Sequence, residues 1–405
     1  MTDVVPGVRC ADRFRTRDEV MARARRVARG VGELGIRPGD AVAVVLRNEI
    51  ENVEITLGIA HAGAVPVSVN WHLKEQELGY LLRDSRAALV FAHTDLLPRV
   101  LATGTAAPVV EVPTTPALRR AYGPVESAAA RGDHELETWL AAQDDEEPAS
   151  SVPQLGLLYS SGTTGTPKGI LREPATPEQS ALLGARILDA FGLEGGTSTL
   201  VPAPLYHAAP NAHVLFGLTA DCEITLMPRF SAAGFLEAVE RHAIVHAQVV
   251  PTMLVRLLQL PEQERLAHDV SSLRCVVHAA GPCPPEVKHA VIDWWGPILH
   301  GTTGAPRSAP SWRATARSGS RTPARWDARS TGATSGSSGR TGPRHPPGYP
   351  ERSSSTRARR GRVRGTSAQP PGPGHARGTA TSASATGAGS TTTATSTCPT
   401  GPPTW

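Results

Sequence analysis

The sequence has 405 residues, 40% of them hydrophobic and 19% charged, with a formal net charge of +4 at neutral pH. That average conceals a break: from Thr303 to Trp405 there are 15 Arg, no Lys, two acids (Asp327 and Glu351), one Val, and no Leu, Ile, Met or Phe. The preceding residues therefore hold 26 bases against 35 acids and carry −9. Such a tail cannot build a core and reads as disordered, while the acidic body excludes a basic nucleic-acid-binding enzyme, so no nucleic-acid partner is expected.

Five cysteines (Cys10, Cys222, Cys275, Cys283, Cys398) are scattered without a CxxC, which points to neither a disulfide framework nor a metal site. No apolar run follows the N-terminal charges as a secretory signal requires, and none reaches the ~20 residues that span a bilayer. The expectation is a cytoplasmic protein. A homo-oligomer is left open.

Along the chain, Val20, Ala24, Val27, Val31 and Leu34 recur at helical spacing, and Gly35 with the Arg37-Pro-Gly-Asp turn stops that helix. Ala41–Leu46 is a continuous apolar run, as in a strand buried on both faces. A helix from about Glu49 to His61, a strand at 64–69, a helix at about 75–83 and a strand at 87–91 continue the rhythm. After an acidic surface connection at 141–150 come strands at 155–159, 198–201, 244–250 and 274–278, with helices near 177–190, 232–242, 252–260 and 285–295. This alternation predicts a layered α/β fold with parallel or mixed sheets and flanking helices. The expected divisions are 1–150, a first α/β subdomain; 151–300, a second with the phosphate loop; and 301–405, the tail.

Tyr159-Ser-Ser-Gly-Thr-Thr-Gly-Thr-Pro-Lys-Gly169 directly follows an apolar strand. Gly162, Gly165 and Gly169 let a backbone approach an anion closely. Ser160, Ser161, Thr163, Thr164 and Thr166 add neutral donors, and Lys168 supplies one full positive charge. These residues suit a polyphosphate. The loop is not a Walker A, because the Gly-Lys-Ser/Thr ending is missing.

Here the chain resembles the adenylate-forming (AMP-binding) enzymes, in particular the bacterial acyl-CoA synthetases or fatty-acid–CoA ligases, over about residues 15–300. Their signature loop reads Tyr/Thr-Ser-Gly-Thr-Thr-Gly-x-Pro-Lys-Gly. Pro204-Leu-Tyr-His-Ala-Ala-Pro210 is similar to their second motif, whose His sits beside the acyl pocket. Ala279-Ala-Gly-Pro-Cys-Pro-Pro-Glu-Val-Lys288 resembles the turn that borders adenine, and Val250-Pro-Thr-Met253 the stretch lining the acyl tunnel.

The resemblance implies a carboxylate partner, ATP with Mg²⁺, and coenzyme A. It places Ser160, Ser161, Gly162, Thr163, Thr164, Gly165, Thr166 and Lys168 on the triphosphate, with Thr164 and Lys168 as the catalytic pair. Ala280, Gly281 and Pro282 fall on the adenine edge, and His207, Pro251 and Met253 on the acyl side. The same motifs serve enzymes that load a carrier protein. A non-enzymatic nucleotide-binding remnant with an RNA- or partner-binding tail is a further alternative.

The family next carries Tyr-Tyr-Gly-x-Thr-Glu, whose Glu holds Mg²⁺, where this chain has Gly301-Thr-Thr-Gly-Ala-Pro-Arg307. The ribose Asp and the Lys of the family's C-terminal domain have no counterpart either. Translated one nucleotide out of register, Thr302 to Arg307 permits Tyr-Tyr-Gly-Gly-Thr-Glu. Gly319 to Arg329 permits Trp-Leu-Ala-His-Pro-Gly-Ser-Val-Gly-Arg-Pro, and Thr391 to Thr404 permits a sequence resembling the family's hinge. The tail is thus expected to follow a frameshift at residue 301, natural or a sequencing error, and the chain to have little or no ligase activity.

Overall fold

The computed structural model describes residues 4–123, 131–146, 156–160, 168–170 and 176–301. The chain opens with a hairpin, β1 (Gly7–Cys10) and β2 (Arg13–Thr16). There follow α1 (Arg17–Glu33), β3 (Ala41–Val45), α2 (Ile50–His61), β4 (Val65–Ser68), α3 (Glu75–Asp84), β5 (Leu89–His93), α4 (Leu97–Ala102), β6 (Val109–Val112), α5 (Pro116–Tyr122), β7 (His134–Glu135) and α6 (Leu136–Ala141). Next are β8 (Leu157–Ser160), β9 (Lys168–Ile170), α7 (Pro177–Phe191), β10 (Ser198–Val201), α8 (Ala208–Thr219), β11 (Glu223–Leu226) and α9 (Ala232–Arg241). The series ends with β12 (His246–Val249), α10 (Pro251–Leu258), α11 (Glu262–Leu266), β13 (Cys275–His278), α12 (Pro285–Trp295) and β14 (Leu299–Gly301).

Local chemistry explains the boundaries. Thr16 and Glu19 form a reciprocal capping box that starts α1, and Gly35, at φ +78°, ends that segment in the left-handed region. The expected helices and strands of the first ninety or so residues lie where the apolar spacing puts them. The hairpin β1–β2, the strands β6, β7, β9, β11 and β14, and the helices α4, α5, α6, α8 and α11 are additions of the structure to the elements expected from the sequence.

The strands form two seven-stranded sheets. The first has the order β7-β6-β5-β3-β4-β8-β9 and is parallel except at β8–β9. The second, β14-β13-β12-β10-β11-β1-β2, is parallel except at β1–β2. Sheet membership crosses residue 150 in both directions: β1 pairs with β11 through Gly7↔Glu223, and β8 pairs with β4 through Val67↔Leu157. An ion pair from Arg9 Nη2 to Glu223 Oε1 (2.8 Å) reinforces the first of these joins.

Helices fill the space between the sheets. One face of the second sheet (Val201, Ile224, Leu226, Cys275, Val277) packs against Ile50 and Val53 of α2, Phe191 of α7, and Val214 and Leu218 of α8. Ile55 and Ile59, farther along α2, pack instead on Val42, Val44 and Phe91 of the first sheet. The outer faces are covered by α3 and α4 on the first sheet and by α9, α10 and α12 on the second. Gly58 permits the close crossing of α1 and α2, since a Cβ there would lie 2.4 Å from Val27 Cβ and 2.6 Å from the Ala24 carbonyl oxygen.

The start of α2 holds three buried acids, Glu49, Glu51 and Glu54, paired with Arg13 and Arg15 of the hairpin and Arg23 of α1. Desolvation, and then repulsion from Glu51, raise the Glu49 carboxyl, whereas the Arg13 and Arg15 guanidiniums hold Glu51 low against its own burial. The network ties the N-terminal hairpin to the central helix layer.

Candidate active site

In open parallel sheets the loops beyond the carboxyl ends of the strands are where ligands bind. Here the carboxyl edges of both sheets are joined by one side chain. Asn48, 4% exposed and just beyond β3, donates from Nδ2 to the carbonyls of Ala203 (2.9 Å) and Met227 (3.1 Å), which follow β10 and β11. Its Oδ1 accepts the Leu205 N–H at 2.9 Å. This holds the Pro204–His207 turn against the first sheet.

His207 is the N-cap of α8, with its backbone extended (φ −87°, ψ 146°). The Asn211 side chain returns to the Leu205 carbonyl (3.1 Å) and fixes the turn. The Tyr206 and His207 rings lie 4.4 Å apart, and desolvation lowers the His207 pKa, favouring the neutral imidazole.

The donor-rich segment joins two antiparallel strands of the first sheet, with Ser160 opposite Lys168. Sequence reading placed a strand before it but not β9 after it, so the structure adds that Ser160 and Lys168 close a hairpin. Ser161, Gly162, Thr163, Thr164, Gly165 and Thr166 lie outside the described residues. At the base of β8, a Cβ on Gly156 would sit 2.8 Å from the Pro66 carbonyl oxygen, so only glycine allows β8 to approach β4 this closely.

Beyond β13, Ala280 takes φ +70°, a conformation disfavoured for a residue with a Cβ. Neighbouring Gly281 is exposed, with open space where a Cβ would stand. Cys283 is buried in the outer cluster with Met253. A Cys in that position packs; its burial raises the thiol pKa, and it serves no reactive role that the geometry supports.

Pro251 begins α10 at the carboxyl end of β12. Met253 is buried among α9, α10 and α12, on the opposite face of the second sheet from α8. The structure therefore brings His207, Ala280 and Pro251 to one edge but does not put the Met253 side chain on the His207 side.

A cationic cluster at the same edge was not read from the sequence. Arg47 lies 5.0 Å from the Trp71 ring and 4.3 Å from the Tyr122 ring, pairs with Asp95, and is joined by Arg229 at 5.4 Å from Tyr122. Arg99 Nη1 donates to the Trp71 carbonyl (2.8 Å). Burial and then the Arg47, Arg99 and Arg229 charges lower the pKa of exposed His72. Burial pushes the Tyr122 hydroxyl up to about 12, and it donates to the Pro228 carbonyl (2.9 Å). Trp71 also meets Tyr206 edge-on at 6.3 Å. The four basic side chains come from separate segments, Arg99 from α4 and the others from loops, and give no local sequence signal.

Among the described residues no cluster of His, Cys, Asp and Glu has the make-up of a metal site, and no helix is long and apolar enough to cross a membrane.

Residues 6–313 match the sequence profile of the AMP-binding enzymes. The chain is 28% identical over 306 residues to the fatty acid–[acyl-carrier-protein] ligase ScoC of Streptomyces coeruleorubidus, covering 74% of this chain and 55% of that protein. It is 30% identical over 279 residues to a feruloyl-CoA synthase of Amycolatopsis sp, covering 68% and 51%. The anthranilate CoA ligase AuaEII, solved with anthranoyl-AMP, superposes with a TM-score of 0.63 at 25% identity, covering 74% of this chain and 56% of that one. The chain thus spans about half the length of the curated relatives it matches.

Proposed function

This chain belongs to the AMP-binding enzyme family, and from that we propose that its site is built to activate a carboxylic acid with ATP as an acyl-adenylate and to pass the acyl group to a thiol. In the first half-reaction a carboxylate oxygen attacks the α-phosphorus and pyrophosphate leaves. In the second, the thiol attacks the acyl carbon and AMP leaves. The observation that carries this reading is the joining of the two carboxyl edges by Asn48, which sets the His207 turn beside the sheet that bears the donor-rich hairpin. Because charge develops on phosphate oxygens, the protein's part is positioning and neutralisation.

In this reading Ser160, Ser161, Gly162, Thr163, Thr164, Gly165, Thr166 and Lys168 hold the triphosphate, with Thr164 and Lys168 nearest the reacting phosphorus. The Ala280-Gly281-Pro282 turn borders adenine, where the open space at Gly281 admits a flat base. His207 and Pro251 line the acyl side, and Met253 supports it from behind the sheet. The Arg47, Arg99 and Arg229 cluster favours an acceptor bearing phosphate, which describes coenzyme A and a phosphopantetheinylated carrier protein alike.

Activity in this chain as translated is proposed to be small. Where the family carries its Mg²⁺ glutamate the sequence has Arg307, a cation that does not fit a metal ion. In β14, Gly301 pairs with His278, and a Cβ on Gly301 would lie 2.8 Å from His278 Nε2, closer than the ring allows without shifting. Both nitrogens of His278, itself 3% exposed, lack a partner among the described residues.

ATP–pyrophosphate exchange over a panel of carboxylic acids tests this reading. Exchange is expected from the frame-restored protein and at least ~10²-fold less from this chain, since loss of one charge-stabilising donor alone costs ~10²–10³. Equal exchange by both would overturn the reduced activity, and absence of exchange in both would overturn the activation chemistry.

A further inference from the structure

The face of the second sheet beneath α8 carries polar groups that the proposed reaction does not use. On β10 and β12, Thr199 and His246 are register partners. His246 Nε2 lies 2.8 Å from the Phe191 carbonyl, which only accepts, so Nε2 holds the proton. His246 Nδ1 therefore accepts the Thr199 hydroxyl hydrogen (2.9 Å), and Thr199 Oγ1 in turn accepts from His213 Nε2 (2.9 Å). That assignment leaves His213 Nδ1 as a bare acceptor, in a residue fully buried and with no partner for that atom among the described residues.

Two residues further along β12, towards the carboxyl edge, stands Gln248. Strand alternation puts it on the same face as His246, beside its register partner Val277, whose other neighbour is His300. Gln248 is 2% exposed, yet neither Oε1 nor Nε2 has a partner among the described residues. A buried primary amide left wholly unpaired is costly and uncommon in a folded protein. The α8 residues packed on this face are Ala209 and Ala212, followed by Val214, Leu215 and Leu218, so the small side chains lie nearest the start of the helix. Gln248 stands near the carboxyl end of β12, the end of the sheet at which α8 begins after His207.

We propose that Gln248 reads the far end of the acid, and that the substrate class is a carboxylic acid bearing a distal hydroxyl or carbonyl rather than a plain fatty acid. This rests on the acyl-activation reading above and adds the substrate's chemistry to it. A hydroxyl satisfies both halves of the amide, accepting from Nε2 and donating to Oε1, whereas an alkyl end leaves both unpaired. Selection against the group lacking the hydrogen bond is the strong direction of discrimination.

The test is equilibrium binding to the full chain by ligand-observed NMR, using para-hydroxycinnamate against cinnamate, para-hydroxybenzoate against benzoate, and octanoate, with and without ATP. In one of the two pairs the hydroxylated acid is expected to bind at least about tenfold tighter than its parent and than octanoate. Gln248→Leu is expected to bring that ratio within about twofold. Binding without discrimination in the unsubstituted chain, or a ratio unchanged by Gln248→Leu, would overturn the proposal and leave the activation reading standing. No binding of any acid would overturn both. The unsubstituted comparison needs no variant to fold, and Gln248→Met adds a second measure: removal of an unpaired amide is expected to raise the unfolding midpoint, whereas a fall would mark Gln248 as structural.

Discussion

Asn48 and Leu205 are 157 residues apart in the chain, yet the Leu205 N–H donates to Asn48 Oδ1 at 2.9 Å in a site almost closed to solvent. The same side chain donates to the Ala203 and Met227 carbonyls, so one residue just beyond β3 bonds three backbone groups in two segments of the second sheet's edge. The approach of the two sheets at the candidate site depends on this amide.

Asn48→Ala should therefore remove three buried hydrogen bonds and leave their backbone partners unpaired. The expected loss is about 2–4 kcal/mol, read from urea unfolding of the full chain. A loss below ~1 kcal/mol would show that other contacts set the sheet approach.

Gly58 offers a case where the usual helix rule reverses. Gly→Ala inside a helix ordinarily stabilises by about 1 kcal/mol, but here the added methyl would meet Val27 Cβ at 2.4 Å and backbone oxygen at 2.6 Å. Gly58→Ala is expected to destabilise by about 1–3 kcal/mol as α1 and α2 are forced apart. Thermal unfolding decides the sign.

At Ala280 the strain lies on the neighbour of a glycine rather than on the glycine. With φ at +70°, a left-handed alanine costs roughly 1–2 kcal/mol, partly offset because glycine has more freedom to lose on folding. Ala280→Gly should stabilise by about 0.5 kcal/mol. If the turn also borders adenine, ATP affinity in the same variant should change by less than about threefold, because the backbone path is kept.

Buried histidines make the fold sensitive to mild acid. Burial pushes His93 and His246 down to about 4 and lowers His213 well below its ordinary value. Between about pH 6.5, where free histidine titrates, and pH 4, the unfolded chain takes protons that the folded chain refuses. Stability must then fall as pH falls through that window, by at most about 1.4 kcal/mol per pH unit for each ring. Unfolding free energies at pH 7.5, 6 and 5 (about 1.4 kcal/mol per unit per ring at the limit) should decline in that order, and His246→Gln should flatten the slope. A profile flat from pH 7.5 to 5 would contradict the neutral assignment.

The sequence by itself determined the α/β alternation and the position of most helices and parallel strands in its first ninety residues, and it raised the expectation of phosphate-type chemistry at 160–168. Those signals are local: apolar periodicity, capping residues such as Thr16 with Glu19, and glycine–hydroxyl–lysine order are all written in neighbouring positions. It also exposed the break after residue 300, because composition needs no fold to be counted. Only the tertiary structure decided that β1 joins the sheet of residues 198–301 while β8 joins that of residues 41–135, since pairing partners are chosen by long-range burial and not by spacing. For the same reason the Asn48 bridge, the Arg47–Trp71–Tyr122 cluster and the unpaired Gln248 amide were invisible beforehand. Each is ordinary in its own segment and acquires meaning when distant strand ends meet at one edge.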